Sequence, residues 1–443
     1  MNSVHESTLK SNTQIKINFD GGDLSSDGGL LLVKEFIHKL GFDKLFRKMF
    51  QTNDTALFRI HTDVDNLLQS IYLTIAGYFE DDRSDDLNND PVLLACLEKE
   101  KLASQPTVSR FFNRMDDTTL TQFENIQKEM RNIVYHHEHY PDLLIFDLDS
   151  TLLPTYGNQE GEAWNHHYQA DGYHPLLCFD GVTGDLIKMT LRDGTDYSCN
   201  GVGEFLEPVL EEFKEKYPST NMVVRGDSGF ATPELYDLCE KYGAEYTVRL
   251  KNNPVLFEQA KPILDEFFLN IHDNLVDYAV SYGEFMYQSN TWSHPRRVVC
   301  KIEKPANSIV LKYTFVVTTR NDIPERCIEF YCERGNMENF IKEGKDGFDF
   351  SGVSSQSKIV NANRLAIAGI AYNIYNWMKR LTFPESMLSY RIHTARLKLF
   401  KTAAKVVRHS GNIIFKLCSS CPYKDEFFEI ISNIRQLEPS YMW

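Results

Sequence analysis

The chain has 443 residues, 42% hydrophobic and 25% charged, a balance that suits a soluble protein of two or three domains with a substantial core. A net charge of −15 is unusual for a protein that grips nucleic acid, so any such contact must come from local basic patches. No run of about 18 apolar residues is present, the start Met1-Asn2-Ser3-Val4-His5-Glu6 has no apolar signal core, and nine scattered cysteines suit a reducing compartment, so the expected location is the cytoplasm with no membrane partner.

The N-terminal third, 1–139, reads as helical. Helix periodicity or helix starts cover Leu30 to Leu40, Val64 to Tyr78, Pro91 to Leu97 and Thr107 to Arg114. In the segment Gln105 to Arg114, Thr107, Ser109, Arg110, Asn113 and Arg114 would present polar and cationic groups at the start of a short helix, as a recognition helix does. Part of the excess acid sits nearby, in Glu80-Asp81-Asp82-Arg83-Ser84-Asp85-Asp86.

From Leu143 to Ser150 an apolar run carries acidic residues at alternate positions, which predicts a buried strand with Asp147 and Asp149 on one face at its end. Two further strands are expected at His174 to Phe179 and Leu186 to Leu191, then a helix over Val202 to Lys216. Met222 to Gly226 predicts a fourth strand that ends at Asp227, and Thr232-Pro233 has the form of an N-cap with proline in the first helical position. With a last strand at Tyr246 to Leu250 the order becomes βββαβαβ. Asp149 and Asp227 both fall at strand ends facing a loop, where open sheets place their sites.

Between Asp227 and Glu338 the chain is much longer than one strand and one helix require. Val276 to Tyr282, Arg297 to Ile302 and Ile309 to Thr319 are rich in β-branched and aromatic residues, so a mostly β insertion is expected over 251–325. Within it, Trp292 reads as a packed aromatic, with base stacking as the alternative. Beyond it comes Tyr331-x2-Arg334-x3-Glu338-x6-Lys345, whose steps of three, four and seven would put all four side chains on one helical face. A carboxylate there stands among two cations and a phenol, a set suited to holding a metal ion beside phosphate. In the C-terminal region, 386–443, Lys398, Lys401, Lys405 and Arg408 recur at helical spacing and would form either a basic stripe or the solvated face of an amphipathic helix. Cys418-x2-Cys421 has no matching second pair, and coincidence is the better reading than zinc.

These features together resemble the DDE transposases of bacterial insertion sequences. The words Gly157-Asn158-Gln159-Glu160-Gly161, Leu191-Arg192-Asp193-Gly194, Arg225-Gly226-Asp227-Ser228-Gly229-Phe230 and Glu333-Arg334-Gly335-Asn336-Met337-Glu338-Asn339 are similar to the group-1 DDE-domain family. The Tyr331/Arg334/Glu338/Lys345 spacing is similar to the Tyr-Arg-Glu-Lys signature around the third carboxylate in one large branch of these enzymes. The resemblance implies an α/β fold: a ribonuclease-H-like mixed-sheet core over 140–250 and 326–385, interrupted by the β insertion and flanked by helical terminal regions.

It also implies DNA cleavage at element ends, followed by strand transfer of the 3′-OH, with Asp149, Asp227 and Glu338 as catalytic metal ligands. The expected cofactor is a pair of Mg2+ ions, with Mn2+ able to substitute. Tyr331, Arg334 and Lys345 are expected at phosphates, the N-terminal region on terminal inverted repeats, and a homodimer in the DNA-bound assembly.

Two other readings compete. Phe146 to Leu153 is also similar to the nucleophile strand of haloacid-dehalogenase-like phosphatases, in which Asp147 would attack phosphorus. A transposase-derived DNA-binding protein without catalysis is the other, disfavoured by the presence of all three carboxylates and Lys345.

Overall fold

The computed structural model describes residues 6–56, 58–138, 140–271 and 278–438. They divide into two compact units, one formed by Met1–His137, Asp346–Gly352 and Ala366–Trp443, the other by Glu138–Lys345 and Val353–Leu365.

The second unit is built on an eight-stranded sheet. Its strands are β1 (Leu143–Ser150), β2 (Leu176–Asp180), β3 (Leu186–Thr190), β4 (Asn221–Gly226), β5 (Glu245–Leu250), β6 (Ala279–Tyr287), β7 (Arg296–Lys304) and β8 (Lys312–Thr318). Their order across the sheet is β6-β7-β8-β5-β4-β1-β2-β3. The central strands β1, β4 and β5 run parallel, and the neighbours on both sides are antiparallel. β1 and β4 are apolar nearly throughout because both of their faces are covered.

Helix α1 (Val202–Lys216) covers one face, with Phe213 against Phe146 at 5.2 Å. Helix α2 (Pro233–Tyr242) starts where expected, the Thr232 hydroxyl accepting from Leu235 N and Pro233 occupying the first turn. The opposite face carries α3 (Pro324–Cys332) and α4 (Gly335–Phe348), with Phe340 of α4 packed on Phe179 of β2 at 5.9 Å. Phe179 pairs with Asp147 in register, so α4 lies on the face to which Asp147 and Asp149 point.

The long segment after β5 opens with helices Pro254–Gln259 and Lys261–Ile271, which the β-rich expectation missed. Its strands continue the central sheet, β8 pairing with β5, and form no sheet of their own. Trp292 is buried, packed edge-on against Tyr236 and Tyr287 with the Arg296 guanidinium over its ring, so the base-stacking alternative falls. The start of the expected strand at Val276 lies outside the described residues.

The first unit is mainly helical. Helices Leu30–Lys39, Asp63–Ala76, Pro91–Leu97 and Gln105–Phe112 occur as expected, and Phe42–Met49 and Asp117–Glu138 add to them. Its C-terminal part departs from the helical reading. Ala404–His409 and Asn412–Leu417 form a β-hairpin that also pairs with Leu24–Ser25. The four cations spaced for a stripe are therefore dispersed: Lys398 meets Tyr390, Lys401 the buried Asp27, Arg408 pairs with Asp23, and Lys405 lies on the hairpin strand. A final helix covers Lys424–Gln436, and Cys418 and Cys421 are free thiols in the turn before it.

Candidate active site

Strand register sets the site. Asp147 and Arg225 are neighbours across the parallel β1–β4 pair, and both are fully buried. The guanidinium clamps the carboxylate through two bonds, Nε to Oδ1 at 2.6 Å and Nη2 to Oδ2 at 2.7 Å, and donates from Nη1 to Phe330 O at 2.7 Å. Gly181 closes over the pair, where a Cβ would lie 2.5 Å from both Asp147 Oδ2 and Arg225 Nη2. A carboxylate so enclosed has no open side for an incoming phosphate, which removes Asp147 as a nucleophile and with it the phosphatase reading.

Two residues on, at the open end of β1, Asp149 keeps 18% of its side chain exposed. Asp227 follows the end of β4 and caps the short turn Ser228–Phe230, its Oδ1 accepting from Gly229 N at 2.8 Å. Ser198 stands between these strand ends, bonded to Ser150 Oγ at 2.9 Å and set against Gly229, where an added Cβ would come within 2.9 Å of it. Glu338 is exposed in the first turn of α4, a favourable place for an acidic group on a helix.

Burial pushes the Asp149 carboxyl up to about 6. The Arg334 charge opposes the rise, and the like charges of Asp227 and Glu338 add to it. Both other acidic residues singled out from the sequence thus bear on the Asp149 charge. Among the described residues no three Asp, Glu, His or Cys side chains gather at ligand distance. The donors nonetheless fit a divalent cation, being hard carboxylate oxygens whose mutual repulsion such an ion would relieve.

The four signature residues do not share one helix. The chain breaks between α3 and α4, leaving Tyr331 on α3, Arg334 in the joint, and Glu338 and Lys345 on α4. The break turns Arg334 inward, where its Nη2 pairs with Asp149 Oδ2 at 3.0 Å and donates to Leu148 O at 3.2 Å. Lys345 reaches the segment just past Asp149 and donates to Thr151 Oγ1 at 2.6 Å and Leu152 O at 2.7 Å. Burial raises the Tyr331 phenol, as does the charge of Asp227, while Arg334 and Arg249 lower it.

The remaining quoted words have structural duties. Lys358, at the start of α5 (Lys358–Thr382), pairs with Asp193, and its backbone N–H donates to Glu160 Oε2 at 3.1 Å. Gly194 N donates to Gly161 O at 3.0 Å, and a Cβ on Gly194 would strike the backbone of Gly172 and Ala163. Arg192, buried, donates to the carbonyls of His174, Tyr197, Ser198 and Asn200 and so holds the loop that carries Ser198. Sequence reasoning missed Arg225 as partner of Asp147, although both stand at matching places in two apolar runs.

Residues 7–439 match the family described as transposase DDE domain group 1. The chain belongs to that family. Among solved structures, this DDE-domain protein is similar to a piggyBac transposase in a synaptic complex with hairpin DNA, at 13% identity over 94% of this chain and 86% of that one, with a TM-score of 0.40. Membership makes the chain a transposase.

Proposed function

We propose that this transposase cuts DNA at the ends of an insertion sequence and transfers the resulting 3′-OH into target DNA, using Asp149, Asp227 and Glu338 on a ribonuclease-H-like core. The observation that carries the reading is that Asp149 and Asp227 stand at the same end of the neighbouring parallel strands β1 and β4, with Arg334, four residues before Glu338, paired to Asp149. The strand sequence β3-β2-β1-β4-β5, with α4 on the Asp149 face, is the arrangement expected of such a core.

Two divalent cations, Mg2+ or Mn2+, held by these three carboxylates would activate water and stabilise the leaving oxygen of an in-line displacement. Asp149 is fixed by its strand and Asp227 by its turn, so both carboxylates are oriented before substrate arrives. Arg334, held on Asp149 in the free protein, sits where its guanidinium can turn to a phosphate oxygen, with Tyr331 and Lys345 on either side of it in sequence. Water first frees a 3′ hydroxyl at the element end, and that hydroxyl attacks a target phosphodiester. Two ends cut together call for two protomers on the DNA, with the helical N-terminal unit on the terminal inverted repeats.

The test is incubation with the terminal repeats that flank the gene and Mg2+, with strand-resolved mapping of the products. Nicks that leave a 3′-OH at the repeat boundary, followed by joined products, are the expected result. Absence of any cut at the boundary under Mg2+ and Mn2+ would overturn the reading.

A further inference from the structure

Between β1 and β2 the chain makes a small three-stranded sheet of Leu153–Pro154, Ala163–Asn165 and Ala170–Tyr173. Its turn, His166 to Gln169, is pinned from within. Asn165 Oδ1 accepts from His167 N at 3.0 Å and Tyr168 N at 3.3 Å, Gln169 N donates to Asn165 O at 2.9 Å, and Gln169 Nε2 donates to His166 O at 2.6 Å. Gln169 takes a left-handed backbone, φ 53°, to close it. A turn so constrained holds Tyr168 in a fixed direction, its ring 40% exposed and set edge-to-face with His167 at 4.7 Å.

The Tyr168 hydroxyl lies 3.4 Å from Ser150 O, one residue past Asp149. Burial raises the phenol, and the charges of Asp149 and Asp227 add to the rise. The acceptor that the Tyr168 hydroxyl meets is Ser150 O, at a distance long for an O–H···O bond, so the proton is free to turn to a better acceptor.

We propose that Tyr168 is a DNA-contacting residue of this site, its phenol donating to a phosphate oxygen of the strand bound at Asp149 and Asp227. The proposal rests on the DNA-cleaving reading above and adds a residue outside the three carboxylates and the Tyr331 to Lys345 signature.

The experiment is single-turnover cleavage of terminal-repeat DNA in Mg2+ by the full chain and by Tyr168→Phe, with end binding followed by gel shift. Tyr168→Phe should cut about tenfold to a hundredfold more slowly while binding within about twofold of the parent. With one non-bridging oxygen at the scissile phosphate replaced by methyl, one diastereomer should erase the difference between parent and Tyr168→Phe, which a purely structural role would not produce. Parent-like cutting by Tyr168→Phe, or a loss that neither diastereomer erases, would overturn the proposal while leaving the DNA-cleaving reading intact. A parent protein that cuts no DNA would instead remove that reading, and this one with it.

Discussion

Asp147 and Asp149 sit two residues apart on one strand and point to the same face, yet one is sealed into the fold and the other opens to the site. The difference lies in what each neighbouring strand offers. Opposite Asp147 the register brings Arg225, whose two parallel hydrogen bonds satisfy the carboxylate completely. Beyond β4's last residue the pairing stops, so Asp149 is held only by the neighbouring Ser150 N at 2.9 Å and by Arg334 at 3.0 Å, a residue carried on the joint between two helices. A saturated pair builds structure, whereas an incompletely paired carboxylate beside like charges keeps capacity for a cation or a phosphate.

The sharpest way to break this comparison is to neutralise the outer group. Asp149→Asn and, separately, Glu338→Gln should lower DNA cleavage by about a thousandfold or more, some 4 kcal/mol of transition-state stabilisation, while end binding persists. Strand-resolved cleavage assays beside gel shifts check it. Magnesium-dependent cutting retained by Glu338→Gln would take that residue out of the site.

Asp147→Asn should act on the fold instead. Removing one charge leaves the Arg225 guanidinium, fully buried, without its counter-ion, a loss of about 3 to 5 kcal/mol in stability. Cleavage per folded molecule should survive in part, because Arg225 keeps its bond to Phe330 O and so keeps α3 against the sheet. Denaturant titration combined with rates corrected for folded fraction separates the two effects. Unchanged stability with abolished cutting would mean that Asp147 belongs to the chemistry after all.

The legibility of the sequence divides along the same line. Local patterns were readable: Val202–Lys216 and Pro233–Tyr242 appear with the bounds that apolar spacing and the Thr232-Pro233 cap predict. The alternation in β1 placed Asp147 and Asp149 on one face, but which of them would find a full partner depended on a pairing 78 residues away. Periodicity misled where it ran across a break. Tyr331 to Lys345 keeps helical steps through the joint before Gly335, and Lys398 to Arg408 keeps them into a strand. In the second case the stronger signal was Ser410-Gly411, both with positive φ, the two-residue turn that closes a hairpin.

The smallest expected effect concerns pH, and it can tell the two kinds of buried acid apart. Burial pushes both Asp149 and Asp180 up to about 6, although Asp180, the last residue of β2, accepts from Thr183, Val182 N and Ile145 N. A carboxyl raised in the folded state favours folding most when protonated. Its contribution is full below the unfolded value near 4 and is lost as pH rises through about 6. For Asp180, 1% exposed, that loss is on the order of 2 to 3 kcal/mol. In chelator, stability measured by denaturant should therefore fall between pH 4 and 7, and Asp180→Asn should flatten part of the slope. Added divalent cation should lift the part that belongs to Asp149 and leave the Asp180 part unchanged. A slope that Asp180→Asn does not alter, or that cation leaves intact in the parent protein, would erase the distinction drawn between a carboxylate enclosed by its own turn and one held open at a strand end.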